Sequence, residues 1–188
     1  RSCVRQDNES MHSGLKFIVK PTQLCIAFGD GTGGLSAANR RTYVSNIEDL
    51  SGKWVYVTGV IEDQTTLEVY VDGVLKPGVL AGTTNLPMGG SSNEKALTGL
   101  WNSNGVAYRY KGGIDEIRIW DRALTASQIN SSRCQMVEGN NLEGMWKFDE
   151  ASGATTVDNS PRRSLGTLNG ARFVASGAGC ADLPSASH

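Results

Sequence analysis

Apolar and polar positions alternate along this chain in short bursts, with glycine or proline standing between most of them. Residues 15–19 and 24–28 are two such bursts joined at Pro21-Thr22, and the second runs into Gly29-Asp30-Gly31. Both read as short strands that end in turns. Residues 54–61 (WVYVTGVI) carry aromatic and β-branched side chains on both alternate faces, the pattern of a strand covered on each side. In residues 67–71, Leu67, Val69 and Val71 alternate with Glu68 and Tyr70, which predicts a half-buried strand. That run enters Asp72-Gly73 and continues as Val74-Leu75. Asp-Gly between two such runs predicts a two-residue hairpin, because a type I′ turn needs positive φ at both central positions.

Further strands are predicted at 96–101, 114–120, 142–148 and 165–174, the last broken by Gly170. In the second of these, Ile114, Glu116 and Arg118 alternate with Asp115, Ile117 and Ile119. Helical character is confined to one place. Thr125 can cap a run over residues 126–133, with Gln128 three residues on, as in a capping box. The 23 glycines fit many turns between short strands. The expected fold class is therefore all-β, a two-sheet antiparallel sandwich with one short helix near 125–133. With no low-complexity linker and no internal repeat, residues 1–180 read as a single domain and residues 181–188 (ADLPSASH) as a flexible tail.

Composition narrows the function classes. The chain has 188 residues, 39% hydrophobic and 20% charged, enough apolar material for a core and too little charge for disorder. A net charge of −1 removes the basic footprint expected of a nucleic-acid binder. The longest mostly apolar stretch, 54–61, is less than half a membrane span, so no membrane insertion is expected. No signal-type apolar region follows Arg1, which implies a mature or excised piece. None of the four cysteines, Cys3, Cys25, Cys134 and Cys180, is spaced as C-x-x-C. They read as two disulfides and hence as a secreted, extracellular protein. Three pairings are open. Cys3–Cys25, joining neighbouring strands, and Cys134–Cys180, tying the tail to the helix, are the expected ones, with four buried free thiols as the alternative.

Three segments together resemble the laminin-G-like family of concanavalin A-like jelly rolls, an architecture shared with pentraxins and legume lectins. They are residues 52–75 (GKWVYVTGVIEDQTTLEVYVDGVL), 110–129 (YKGGIDEIRIWDRALTASQI) and 142–174, with its WKFDE, Asp158-Asn159-Ser160 and GTLNGA elements. Added to the weaker GLKFIV and AFGDGTGG stretches, the resemblance covers most of the chain and implies a jelly-roll sandwich. One departure concerns order: WKFDE opens the domain in many members, whereas here it closes it. Either the module is permuted or the piece is cut out of phase across tandem modules. In the permuted version, which is the expectation, residues 114–120 and 142–148 are antiparallel neighbours connected through the turn at 125–133.

The resemblance also implies a structural calcium, and the positions that match are Asp115, Asp149 or Glu150, and Asp158. Calcium takes six to eight oxygen ligands. A salt bridge or a turn cap would satisfy the same carboxylates, so both readings stay open. Some enzymes of this fold place their carboxylates as E-x-D-x-x-E or E-x-D-x-E along one strand, and that motif is absent. Of the adjacent acids, Glu62-Asp63 falls in a connection, and Asp115-Glu116 should point to opposite sheet faces. His12 and His188 are the only imidazoles, and residues 29–34 lack the lysine of a phosphate loop. No enzyme activity is expected. Sugar recognition needs an aromatic face beside amides and carboxylates. Trp101, Asn102, Asn104, Tyr108 and Tyr110 form such a cluster, which Asp30 and Asn39 join if the loop ends converge at a sandwich rim. The alternative is that Trp101 and Tyr110 are core or strand-edge residues; Trp54, Trp120 and Trp146 are expected in the core. The sequence thus reads as a non-catalytic, lectin-like module of a larger secreted or surface protein, its partner a glycan or an extracellular glycoprotein. A protein–protein adhesion or structural module is the rival reading, and a glycoside hydrolase or lyase stands third.

Overall fold

The computed structural model describes residues 2–5, 13–33, 36–90, 97–98, 100–103, 106–135 and 141–175; for 2–5 and the strands between 97 and 109 it describes the backbone course. The chain divides into two compact units, residues 1–111 and 112–188, taken in turn. In the first unit the strands are β1 (Ser2–Arg5), β2 (Ser13–Lys20), β3 (Gln23–Asp30), β4 (Arg40–Asn46), β5 (Val57–Ile61), β6 (Leu67–Val71), β7 (Val74–Lys76), β8 (Val79–Ala81), β9 (Leu97–Thr98), β10 (Leu100–Ser103) and β11 (Val106–Arg109). They form an antiparallel sheet of six in the order β8-β4-β3-β2-β1-β9, a sheet of three, β5-β6-β7, and the hairpin β10-β11.

Alternation decides which residues meet. Leu24, Ile26 and Phe28 of β3 pack with Leu67, Val69 and Val71 of β6 and with Leu50, flanked by Phe17, Tyr43, Val57 and Ile61. The two sheets therefore stack face to face as a sandwich, and each such side chain contributes on the order of 1.5–3 kcal/mol by leaving water. Gly59 of β5 points into this interface, where a Cβ would collide with Ile26 Cδ1. Close approach of the sheets requires glycine there. The hairpin between β6 and β7 turns at Asp72 (φ 51°) and Gly73 (φ 78°), the two positive values that the Asp-Gly signal predicts. Pro21-Thr22 likewise joins β2 to β3 with Lys20 opposite Gln23.

The second unit holds β12 (Ile117–Trp120), α1 (Ala126–Ser132), β13 (Leu142–Trp146), β14 (Thr155–Thr156) and β15 (Gly166–Thr167). The expected capping box is formed: Thr125 accepts from the Gln128 amide, and the Gln128 side chain accepts from the Thr125 amide. β12 and β13 pair antiparallel with Ile117 opposite Trp146 and Arg118 opposite Met145, as the permuted arrangement requires. Arg118 reaches from this ribbon to the Ser132 carbonyl at the end of α1 and to Glu116 at 2.7 Å. No helix among the described residues is long and apolar enough to cross a membrane.

Several expectations give way. Trp54 is 41% exposed, because β5 starts only at Val57 and the tryptophan precedes the sheet. Trp120 and Trp146 are half-buried rather than core. The strand expected over 114–120 begins at Ile117, since Glu116 takes a positive φ of 52° that ends the alternation. Only Gly166–Thr167 of the expected 165–174 strand forms, and Gly170 turns the chain at φ 76°. Conversely, β4 (RRTYVSN) was not anticipated.

Candidate functional site

Asp30 ends β3 at the rim of the six-stranded sheet and is 9% exposed. Its Oδ1 accepts from the Thr32 amide at 3.0 Å and the Thr32 hydroxyl at 2.7 Å, while Oδ2 accepts from Thr84 Oγ1 at 2.5 Å. Burial pushes this carboxyl up, but the hydrogen bonds from Thr84 and Thr32 outweigh it and leave it below the usual aspartate value. The network continues outward, with Asn39 donating to Thr32 Oγ1 at 2.6 Å. Asp30 and Asn39 thus do come together at the rim, with Thr32 between them. Asp30 acts there as a loop anchor, an Asx turn closed by a threonine from a distant segment. Arg41 fixes that segment by donating to the Gly82 carbonyl at 2.5 Å and to Asn85 Oδ1 at 3.3 Å.

The same segment then crosses the end of β2 and β3. Gly14 donates to the Gly89 carbonyl at 2.7 Å, and Gly89 donates to the Gly29 carbonyl at 2.9 Å. A Cβ at Gly89 would overlap the Asp30 carbonyl, so only glycine permits this crossing.

Behind this rim, the outer face of the six-stranded sheet carries a groove of about 230 Å³. Cross-strand register explains its depth. One row across the sheet is Gly14, Gly29 and Arg40, and the next is Lys16, Ala27, Thr42 and Ala81. Glycine and alanine at the centre of both rows leave a depression that Lys16, Ile18, Arg40 and Thr42 border. Cys25 lies in the following row, beside Ile18 and Val44. Burial raises its thiol above the ordinary cysteine value, and the charges of Lys20, Lys16 and Arg40 only partly offset that. None of Lys16, Arg40, Thr42 and Cys25 was singled out from sequence as a ligand group. The available signal was a lysine inside the otherwise apolar GLKFIV run.

The expected aromatic cluster is described in part. Trp101 pairs with Tyr108 and Asn102 with Ala107 across the β10–β11 hairpin, and Tyr110, just after it, is half-buried. Asn104 lies outside the described residues, as do the side chains of Trp101, Asn102 and Tyr108.

In the second unit the four residues proposed for calcium do not converge. Asp158 is fully buried: Oδ1 accepts from the amides of Met145 at 2.9 Å and Ser160 at 2.8 Å, and Oδ2 accepts from that of Ser164 at 2.9 Å. Burial pushes this carboxyl up, yet those amides hold it below its ordinary range. Glu150 accepts from the Val157 amide at 2.7 Å and from Thr156 Oγ1 at 3.1 Å, Asp149 is exposed, and Asp115 accepts from the Glu116 amide at 3.0 Å. Among the described residues, no three acidic, histidine or cysteine side chains gather closely enough to hold an ion. Asp158 and Glu150 accept hydrogen bonds from the turns of their own segment.

The expected Cys3–Cys25 bond also fails, and register gives the reason. Cys3 and Cys25 both oppose Ile18, from β1 and β3, so β2 lies between them. Two strand spacings are about 9–10 Å, beyond the reach of a disulfide. Cys25 is a free thiol. Cys180, the expected partner of Cys134, lies outside the described residues.

A family model described as the concanavalin A-like lectin/glucanases superfamily, of laminin-G type, matches residues 3–130. The match runs through the rim, the groove, β12 and most of α1. No curated protein matches the chain, and no solved structure does.

Proposed function

The chain belongs to the concanavalin A-like lectin/glucanase superfamily, and we propose that it is a non-catalytic, carbohydrate-binding member of it. The observation that carries this reading is the groove on the outer face of the six-stranded sheet. Its volume of about 230 Å³ is below the roughly 300–1,000 Å³ of sites for drug-sized ligands, and suits one ring-sized group. Its border supplies hydrogen-bond donors from Lys16, Arg40 and Thr42, and its floor of Ala27 and Ala81 suits the C–H face of a sugar. Glycoside hydrolysis needs a pair of carboxylates about 5–10 Å apart, and among the described residues no carboxylate lines this groove, which favours binding over hydrolysis. In this reading the module acts outside the cell or on its surface within a larger protein, and its partner is a glycan or glycoprotein. The hairpin carrying Trp101 and Tyr108 is a second contact region.

A glycan array with the intact chain and with Ala27→Leu tests the proposal. The larger side chain would fill the groove from the face opposite the core. Reproducible glycan binding that Ala27→Leu removes, with an unchanged melting temperature, is the expected result. Silence of the intact chain across the array overturns it. One observation favours the rival adhesion reading: Val74, Leu75 and Val79 are exposed on the short strands β7 and β8. Loss of protein partners, rather than glycans, on Val79→Lys would support that alternative.

A further inference from the structure

We propose that Asn169 is a site of spontaneous covalent modification, at which water converts the asparagine to isoaspartate and aspartate with loss of ammonia. The inference goes beyond the binding reading and does not depend on it. The GTLNGA stretch places Asn169-Gly170 just after β15, and both residues are exposed. Gly170 turns the chain at φ 76°. Apart from its chain neighbours, nothing lies within 4 Å of where a Cβ on Gly170 would stand. The chemistry needs a side-chain amide beside the following backbone nitrogen, room for the two to close into a ring, and water. A side chain after the asparagine crowds that closure, and glycine has none.

The Gly170 nitrogen loses its proton to a base in solvent and attacks Asn169 Cγ. A new carbon–nitrogen bond forms, the Cγ–Nδ2 bond breaks, and the departing nitrogen takes up a proton and leaves as ammonia. Water then opens the resulting succinimide. Opening at the backbone carbonyl gives isoaspartate, and opening at Cγ gives aspartate. Each event adds one negative charge to a chain whose net charge is −1. Isoaspartate also lengthens the main chain by one carbon beside Leu168, whose amide donates to the Ala154 carbonyl at 2.9 Å and closes the β14–β15 hairpin.

The structure singles out this position among comparable pairs in the described residues. In Asn159-Ser160, the Ser160 amide that would attack donates to Asp158 Oδ1 at 2.8 Å, and Asn159 Nδ2 donates to the Val157 carbonyl at 3.2 Å. Asn130-Ser131 lies within α1, where side chains tilt towards the helix N-terminus and away from the following nitrogen. Asp30-Gly31 and Asp72-Gly73 could close the same ring from a carboxyl group. Asp30 is held by Thr32 and Thr84, however, and Asp72 Oδ1 accepts from the Tyr56 amide at 2.9 Å. A second Asn-Gly pair, Asn104-Gly105, lies outside the described residues.

The test is ageing of the intact chain at mildly alkaline pH, followed by peptide mapping against an unaged control. Trypsin releases residues 164–172 (SLGTLNGAR), in which Asn169 carries the only side-chain amide. This peptide should convert before those holding Asn130 and Asn159, with the mass change of NH2 replaced by OH, and isoaspartyl methyltransferase should label the product. Its rate in the folded chain should lie within about tenfold of the rate in the free synthetic peptide, a barrier difference of about 1.4 kcal/mol or less. Asn169→Gln should stop conversion of this peptide and leave the melting temperature unchanged. Folded-state conversion slower than that limit overturns the inference, because the turn would then protect the amide. Equal or earlier conversion at Asn130 or Asn159 overturns the assignment to Asn169.

Discussion

Asp30 and Asp158 are both buried carboxylates that end up below the usual aspartate value, but different donors hold them. Asp30, at the rim of the first unit, is held by two threonine hydroxyls and one amide. Asp158, in the second unit, is held by three backbone amides drawn from β13 and from the turn that follows it. Hydroxyls can rotate towards water when their acceptor is removed; backbone amides fixed in a turn cannot. The first aspartate therefore tunes a loop, and the second specifies a fold.

Substitution of the pair orders them. Asp158→Ala leaves three amides without an acceptor and is expected to cost about 3–5 kcal/mol, read as a large drop in chemical-denaturation midpoint. Asp30→Ala should cost less, about 1–3 kcal/mol, while loosening residues 31–39 and 84–90 in hydrogen exchange. Equal losses would erase the distinction. Acid offers a second comparison. Because both groups have folded-state values below their unfolded ones, the unfolded chain binds more protons in that window. Their stabilisation is complete above the ordinary aspartate value of 3.8 and is lost as pH falls through the lower folded values. Asp158→Ala should flatten this acid limb more than Asp30→Ala, as measured by melting temperature between about pH 2 and 5. The smallest effect is expected from chelation: with Asp158 and Glu150 committed to their own turns, removing divalent ions should leave the melting temperature unchanged. A shift of several degrees on calcium addition would show that the acids of the second unit act together after all.

What could be read in advance was local chemistry. Asp72-Gly73 dictates its hairpin through two φ angles, and Thr125 with Gln128 dictates a helix start, whatever lies around them. The pairing of β12 with β13 was legible because both runs are apolar and a short capped helix joins them. Trp54 was misread because its exposure depends on where the sheet begins, which the WVYV pattern does not encode. Glu116 broke a clean alternation with one backbone angle. In β4 the opening Arg40-Arg41 hid a regular pattern, in which Arg41, Tyr43 and Ser45 face one way and Arg40, Thr42 and Val44 the other. The groove was least visible of all. Its depth comes from Gly14, Ala27, Gly29 and Ala81, small residues on three strands that only register brings side by side. The cysteines illustrate the same limit, since adjacency in strand order became separation once β2 lay between them.

The family match stops at residue 130, but the strand that completes the hydrogen-bonding row of β12 is β13, at Leu142–Trp146. A version trimmed to its recognisable part would keep Ile117–Trp120 and discard the ribbon's other half. Its bare amides and carbonyls would then be open to the equivalent segment of another copy, so the shortened protein would exchange a fold-internal neighbour for an aggregating one. For this chain, the border visible to sequence comparison and the border at which the backbone is satisfied are different places.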